Sequence, residues 1–105
     1  MQIIFGKESA EKLREKYTVL ELETIQVKED GTAIDVFCLI PGEKIAITDM
    51  PLLEDHIKLH NSFLDGIKRK DKDFCIECIN SLRGKFGGEV DSYYDIQEER
   101  LRNTA

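Results

Sequence analysis

The stretch YTVLELETIQVKEDGTAIDVFCLI, residues Tyr17–Ile40, is typical of one long β-hairpin that turns at Asp30-Gly31. Asp-Gly favours the positive φ angles that a two-residue type I′ turn requires, and both flanking runs are rich in β-branched and aromatic residues. The rest of the chain is therefore expected to be organised around this hairpin.

The turn also predicts which residues of the two strands lie opposite each other. It places Glu29 opposite Thr32 and, at the open end, Leu22 opposite Leu39. One face is then expected to gather Ile25, Val27, Ile34, Val36, Cys38 and Ile40. The other face gathers Leu20, Leu22, Phe37 and Leu39 at the open end. Because an isolated hairpin is marginally stable in water, helices or a second subunit must cover both faces.

The composition is that of an ordinary globular domain with an acidic surface. A chain of 105 residues with 41% hydrophobic and 34% charged residues predicts one domain with its own core. The net charge of -6 repels a phosphate backbone, so nucleic acid is not an expected partner.

The lack of a visible targeting signal and the cysteine usage together predict a cytoplasmic protein. The sequence contains neither an apolar run of about 20 residues nor a secretory leader, so no membrane association is expected. Its three cysteines, an odd number, indicate free thiols in a reducing compartment.

Further short elements are predicted on either side of the hairpin. The run MQIIF at residues 1–5 predicts an edge strand, and Ser9 is a candidate N-cap for a short helix over residues 10–16. After Pro41-Gly42, the segment EKIAIT at residues 43–48 is expected to be a third extended segment.

The composition changes at residue 49, where helical patterns begin. A helix is predicted to start near residue 50, with Thr48 or Asp49 as its cap, and to bear the apolar stripe Leu53, Ile57, His60, Leu64 and Ile67. A second helix is capped at Asp71 or Asp73 and ends before Gly84, which makes an αα-hairpin. A last helix covers residues 90–102.

These elements predict a single α+β domain. Residues 1–48 supply mainly strands with one short helix, and residues 49–105 are helical. The expected architecture is a small antiparallel sheet built on the central hairpin and packed against three carboxyl-terminal helices.

Cys75-x-x-Cys78 and His56-x-x-x-His60 are the residue types of a zinc site, but their spacing argues against one. In the predicted αα-hairpin, His60 lies about 6 Å and His56 about 12 Å along the axis from Cys78. Zinc ligands must converge to within roughly 2.3 Å of the ion. We therefore expect no metal and no cofactor, and the cysteines are interpreted as small buried apolar residues.

Three titratable residues support an alternative as a small enzyme or metal-dependent domain. Glu21 and Glu23 are predicted on the same face of one strand, about 6.5 Å apart, a spacing that suits paired carboxylates. His60 lies on the apolar stripe of its helix, where a core histidine is the structural interpretation. No nucleophile signature or phosphate-binding glycine loop accompanies them.

Two further stretches are candidates for partner binding. The basic run at residues 68–72 (KRKDK) is interpreted as a solvated helix end, with binding of an acidic partner as the alternative. The stretch GKFGGEVDSYYD at residues 84–95 combines paired glycines with flanking aromatic rings, a pattern suited to a tight interhelical turn or to a partner-binding surface. The candidate partner-binding residues are Phe86, Asp91, Tyr93, Tyr94 and Asp95.

Two of these pieces, KYTVLELETI before the Asp-Gly turn and GKFGGEVDSYYD near the carboxyl end, resemble small uncharacterised proteins of large tailed bacteriophages, including marine ones. The resemblance spans most of the chain in the same order. It implies a phage origin and action in a bacterial host cytoplasm, and it implies no activity and no functional residues.

The functional hypothesis is therefore a small acidic accessory protein of phage type, non-enzymatic, that acts by binding a host or phage protein. The enzyme or metal-dependent domain using Glu21, Glu23 or His60 is the first alternative. A self-associating structural unit, dimeric through the hairpin, is the second.

Overall fold

The computed structural model describes residues 1–26, 29 and 31–103. Within these ranges the chain forms three β-strands and four α-helices. They are β1 (Gln2–Phe5), α1 (Lys7–Arg14), β2 (Thr18–Gln26), β3 (Ala33–Ile40), α2 (Leu53–Lys68), α3 (Lys72–Leu82) and α4 (Asp91–Asn103). Strands come first and most of the helical residues follow, which confirms the predicted α+β class.

The chain divides into two compact units, residues 1–43 and residues 44–105. The expected third extended segment over residues 43–48 is wrong, because the chain forms 3-10 turns at Gly42–Lys44 and Ile47–Leu52 instead. The N–H of Asp49 donates to the carbonyl of Ala46 at 2.9 Å, so a local turn hydrogen bond replaces strand pairing here. The α-helix accordingly begins at Leu53 rather than near residue 50, without the predicted side-chain cap.

The sheet has the strand order β1-β3-β2, with antiparallel pairing on both sides of the central strand. The edge strand predicted near residues 1–5 is confirmed as β1, whose Ile3 and Phe5 lie opposite Cys38 and Val36. The central strand is buried from Val36 to Ile40.

The predicted hairpin register is wrong. Gln26 lies opposite Ala33, a position that the prediction gives to Lys28, and a β-bulge between Glu21 and Glu23 shifts the register once more. The bulge inserts Leu22 as an extra residue and reverses the alternation of side chains beyond it. The predicted turn falls in part on Val27, Lys28 and Asp30, which lie outside the described residues. Gly31 has the positive φ, 74°, that the prediction requires.

The bulge reassigns apolar residues between the two faces of the sheet. We call the side bearing Ile34, Val36, Cys38 and Ile40 the Cys38 face, and the side bearing Ala33, Asp35, Phe37 and Leu39 the Phe37 face. Leu20 lies opposite Cys38 and therefore joins the Cys38 face, whereas the prediction placed it beside Phe37. Val19, opposite Leu39, takes its place on the Phe37 face.

The amino-terminal helix covers the Phe37 face. A core cluster joins α1 to all three strands of this unit, with Leu13 packed against it, and consists of Ile4, Ala10, Val19, Phe37 and Leu39. Each fully buried Val, Leu, Ile or Phe side chain stabilises the fold by about 1.5–3 kcal/mol. The helix begins at Lys7, directly after Gly6, and the predicted cap at Ser9 is wrong because Ser9 lies inside the first turn.

Residues 44–105 contain the predicted αα-hairpin. The side chain of Asp71 caps α3 by accepting from the N–H of Phe74 at 3.4 Å, as predicted. The two helices approach closely at Gly66, where a Cβ would lie 2.8 Å from the Phe74 ring and 2.9 Å from Cys75 Sγ. Glycine is therefore needed at this crossing.

Candidate functional site

A buried cluster of rings surrounds His60 in the helical unit. We call it the His60 cluster; it consists of His60, Phe63, Phe86, Tyr93 and Tyr94. The Tyr94 hydroxyl lies 2.8 Å from His60 Nδ1, a hydrogen bond whose direction is set by the imidazole tautomer. His60 and Tyr94 are both 0% exposed, so this polar pair is part of the core.

The predicted partner-binding set divides between core and surface. The rings of Phe86, Tyr93 and Tyr94 are 1%, 6% and 0% exposed, so they do not form an exposed surface, and the prediction is corrected for these three residues. Asp91 accepts from the N–H of Gly84 at 2.9 Å and holds the turn before α4. Asp95 is exposed and pairs with a neighbouring arginine.

The backbone of the glycine-rich turn explains why Phe86 points inward. Gly84 has a φ of 83°, in the left-handed region predicted for the residue after a helix end. Gly87 has a φ of 66°, and a Cβ there would overlap the backbone carbonyl oxygen of Lys44. This close approach, with Phe86 at a φ of 53°, places the aromatic ring in the core.

Arg83 joins the end of α3 to α4. Its Nε–H donates to Asp95 Oδ1 at 3.0 Å and its Nη2–H donates to Glu98 Oε2 at 3.1 Å. The hydrogen bond with Glu98, and then that with Asp95, raises the pKa of the guanidinium, while Arg83 lowers the pKa of the Glu98 carboxyl. Glu98 also pairs with Arg102, at 3.4 Å.

The three cysteines are buried and form no disulfide. Cys75 Sγ lies 3.8 Å from the carbonyl oxygen of Phe63 and donates to it. Burial is the largest cause that raises the pKa of Cys75 and of Cys78. Cys78 and then Asp71 raise the pKa of Cys75 further, and Glu77 and then Asp71 raise that of Cys78. The raised pKa favours the neutral form of both thiols, which is a weaker nucleophile and metal ligand than the thiolate.

The histidines and cysteines considered as zinc ligands make separate contacts. His60 Nδ1 is held by Tyr94, while the ring of His56 packs edge-on against Phe86 with centroids 6.2 Å apart. Among the described residues, no group of three or more His, Cys, Asp or Glu side chains converges to hold a metal ion.

The bulge also separates the two glutamates predicted to share one face. Glu21 lies opposite Phe37 and Glu23 opposite Val36, two neighbours on β3 whose side chains point to opposite faces. The predicted shared face of the two carboxylates is therefore wrong, and with it the paired-carboxylate geometry. Both residues belong to the unit of residues 1–43, and His60 belongs to the other.

Among the described residues, the most exposed large apolar side chain belongs to a segment that the sequence did not mark as a candidate site. Ile47 is 88% exposed, and Met50 and Leu52 are 45% and 48% exposed. We call Ile47–Leu52 the Ile47 segment; it is a 3-10 turn that contains Pro51. One feature of the sequence could have pointed to this segment: Ile47 and Met50 are apolar but precede the apolar stripe of α2, which begins at Leu53.

The basic run near residue 70 forms the exposed end of the αα-hairpin. Lys68, Arg69, Lys70 and Lys72 are exposed, and the Arg69 guanidinium lies over the Phe74 ring at 5.4 Å from its centroid. Asp65, Asp71 and Asp73 are exposed beside them, so the positive charge is largely balanced, as expected for a solvated helix end.

Comparison with known proteins assigns the chain to no family. In the part of the chain that the structure describes, no helix combines the length and hydropathy needed to cross a bilayer. The resemblance to phage proteins stays a prediction. No protein-family model, curated protein or solved structure matches the chain.

Proposed function

We propose that the protein is a non-enzymatic accessory protein of phage type that binds a protein partner in the bacterial cytoplasm through the Ile47 segment. The observation that carries the proposal is the 88% exposure of Ile47 beside the half-exposed Met50 and Leu52. Grouped apolar side chains that stay in water are a common mark of an interaction site.

The local backbone favours binding because it already holds these side chains in a turn. Asp49 N–H donates to the Ala46 carbonyl, and Pro51 fixes one φ angle inside the segment. Less conformational entropy is then lost on association than for a flexible loop. Burying one of these side chains fully contributes about 1.5–3 kcal/mol before the costs of association.

The charges around the segment define the chemistry of the partner. Asp49, Glu54 and Asp55 lie within or just after it, and the sequence has no lysine or arginine between Lys44 and Lys58. A fitting partner presents an apolar groove with lysine or arginine at its rim, because opposite charges steer and orient association. The net charge of -6 acts in the same direction.

A capture experiment with matched variants tests the proposal. The protein and the double variant Ile47→Ser, Met50→Ser are each used to capture proteins from a lysate of the cells that make it. The control is Ile96→Ser on α4, which removes another exposed isoleucine, 51% exposed. Circular dichroism and urea unfolding check that all three remain folded.

We expect one protein to be retained by the native chain and by Ile96→Ser, and to be lost with the double variant. Its retention should also weaken as salt is added, since the charge attraction is screened. Equal retention by all three proteins, or no retained protein at all, would contradict the proposal.

A further inference from the structure

The two edges of the sheet differ in how they are protected against pairing with another chain. Because the strand order is β1-β3-β2, β1 and β2 are the edge strands. The β2 edge carries a bulge and the charged Glu21 and Glu23, which are common devices against edge-to-edge association. The β1 edge, Gln2–Phe5, carries no charged side chain, no proline and no bulge.

The backbone of β1 offers hydrogen-bonding groups on its outer side. The N–H of Gly6 donates to the carbonyl of Asp35 at 2.8 Å. In an antiparallel ladder, the backbone N–H and C=O groups of successive residues point alternately inward and outward. The backbone groups of Gly6 and Ile4 therefore face β3, while those of Ile3 and Phe5 face outward. In the described part of the chain, no strand pairs with this outer side.

The side chains of the same two residues are exposed. Ile3 and Phe5 lie opposite Cys38 and Val36, which puts both on the Cys38 face, where they are 42% and 62% exposed. Ile4 points to the other face and is buried in the core cluster with α1. The β1 edge therefore combines outward backbone groups with neighbouring apolar side chains.

We propose that a second copy of this chain occupies the edge, with the two β1 strands antiparallel and the sheets joined into one. Antiparallel pairing of a strand with itself has two-fold symmetry, and in the register centred on Ile4, Ile3 of one copy lies opposite Phe5 of the other in both halves. These opposed residues exchange N–H···O=C bonds, and their side chains meet on the Cys38 face as apolar cross-strand pairs.

A second copy fits this edge better than an unrelated segment for two reasons. The strand is complementary to itself, since its outward residues are apolar and bring no like charges together. The assembly also closes at two copies, because each β2 edge keeps its bulge and glutamates. All residues of the β1 edge belong to the first unit, so the proposed pairing does not depend on the Ile47 segment.

Sedimentation equilibrium of the tag-free protein tests the inference. We expect the weight-average mass to rise from one to two copies with concentration, with a dissociation constant in the micromolar range for so small an interface. Amide exchange at Ile3 and Phe5 should slow over the same concentrations. A monomer at every concentration would overturn the inference.

Charge variants locate the interface. Ile3→Lys places an ammonium group opposite the Phe5 ring of the other copy and diagonal to a second ammonium group, and it should weaken the dimer at least about tenfold. The control Ile25→Lys changes an equally exposed isoleucine, 43% exposed and on the same face, but on β2, and should leave association unchanged. Should Ile3→Lys fail to fold, Phe5→Lys at the more exposed position takes its place. Equal weakening by Ile25→Lys would also overturn the assignment to β1.

Discussion

At the scale of single residues, the hydrogen bond between His60 and Tyr94 is a polar feature inside the helical core. Both side chains are fully buried, and rings of the His60 cluster surround the bond. A buried polar atom that loses its partner cannot turn to water instead, so its desolvation cost is no longer offset. The role of His60 that follows from this geometry is structural.

Removing that hydroxyl should therefore be costly. We expect Tyr94→Phe to lower the free energy of unfolding by about 1–3 kcal/mol, because it leaves His60 Nδ1 without this partner. Urea denaturation followed by circular dichroism measures the change. The control Tyr17→Phe removes the hydroxyl of a 43% exposed tyrosine and should stay within about 0.5 kcal/mol. Similar values for the two variants would show that the buried bond contributes nothing.

At the scale of elements, Arg83 ties α3 to α4 through two carboxylates. The lowered pKa of Glu98 means that its ionised form is favoured in the folded protein. The resulting stabilisation is fully present above the ordinary carboxyl pKa of 4.5 and is lost as the pH falls through the lower folded value. The link between these helices should thus weaken in acid.

A comparison of Glu98→Gln with the native chain checks this pH dependence. The variant should have a lower melting temperature at about pH 7, and the difference should shrink as the pH falls through the lowered folded pKa of Glu98, where the native carboxyl becomes protonated. Glu99→Gln, at the exposed next position of the same helix, should show a small difference that does not follow this course. If the difference in melting temperature between Glu98→Gln and the native chain grew in acid, Glu98 would not stabilise the fold through its ionised form.

The thiols of α3 provide a second test at this scale. Because burial raises the pKa of Cys75 and Cys78, both should react slowly with a disulfide reagent at about pH 8 in the native protein. The variant Ser81→Cys, exposed on the same helix, should add one thiol that reacts at the rate of a free thiol. In denaturant all thiols should react alike. Fast reaction of the native cysteines would mean that α3 opens readily.

The sequence predicts those elements whose signals are local. Asp71, one of the two predicted caps, and Gly84 occupy their predicted capping positions, because each depends on one side chain or one φ angle. The bulge at Leu22 has no such signal: its neighbours are ordinary strand residues, and one extra residue changes the register without changing β propensity. The prediction of a third extended segment was wrong because EKIAIT has the alternation of a strand. In the structure, Pro51 and turn hydrogen bonds favour 3-10 geometry instead.

The candidate sites were less predictable because they depend on which face is covered. Tyrosine and phenylalanine suit both a core and an interface, so spacing alone could not assign Phe86, Tyr93 and Tyr94 to the interior. Ile47 shows the opposite case. Its sequence context looks like an ordinary strand, and only its 88% exposure marks it as a surface residue.

At the scale of the whole molecule, charge should modulate self-association. Each copy carries a net charge of -6, so two copies repel each other at long range, whereas the proposed β1 contact is apolar. Raising the salt from about 10 mM to about 100 mM shortens the screening length from about 30 to about 10 Å. We expect the dimer to tighten over this range in sedimentation runs. Weakening with salt would indicate attractive ion pairs at the interface and contradict an uncharged edge.

The turn from Gly84 to Gly88 has a consequence for recognising relatives of this protein. Surface residues such as Ile47 are free to change whenever a partner changes, but the carbonyl of Lys44 leaves no room for any side chain at position 87. A descendant that keeps this fold should therefore keep glycine there, with a large apolar residue just before it. The pattern Gly-x-Phe-Gly-Gly followed by a helix with two adjacent aromatic residues would then outlast overall sequence similarity as a signature of common ancestry.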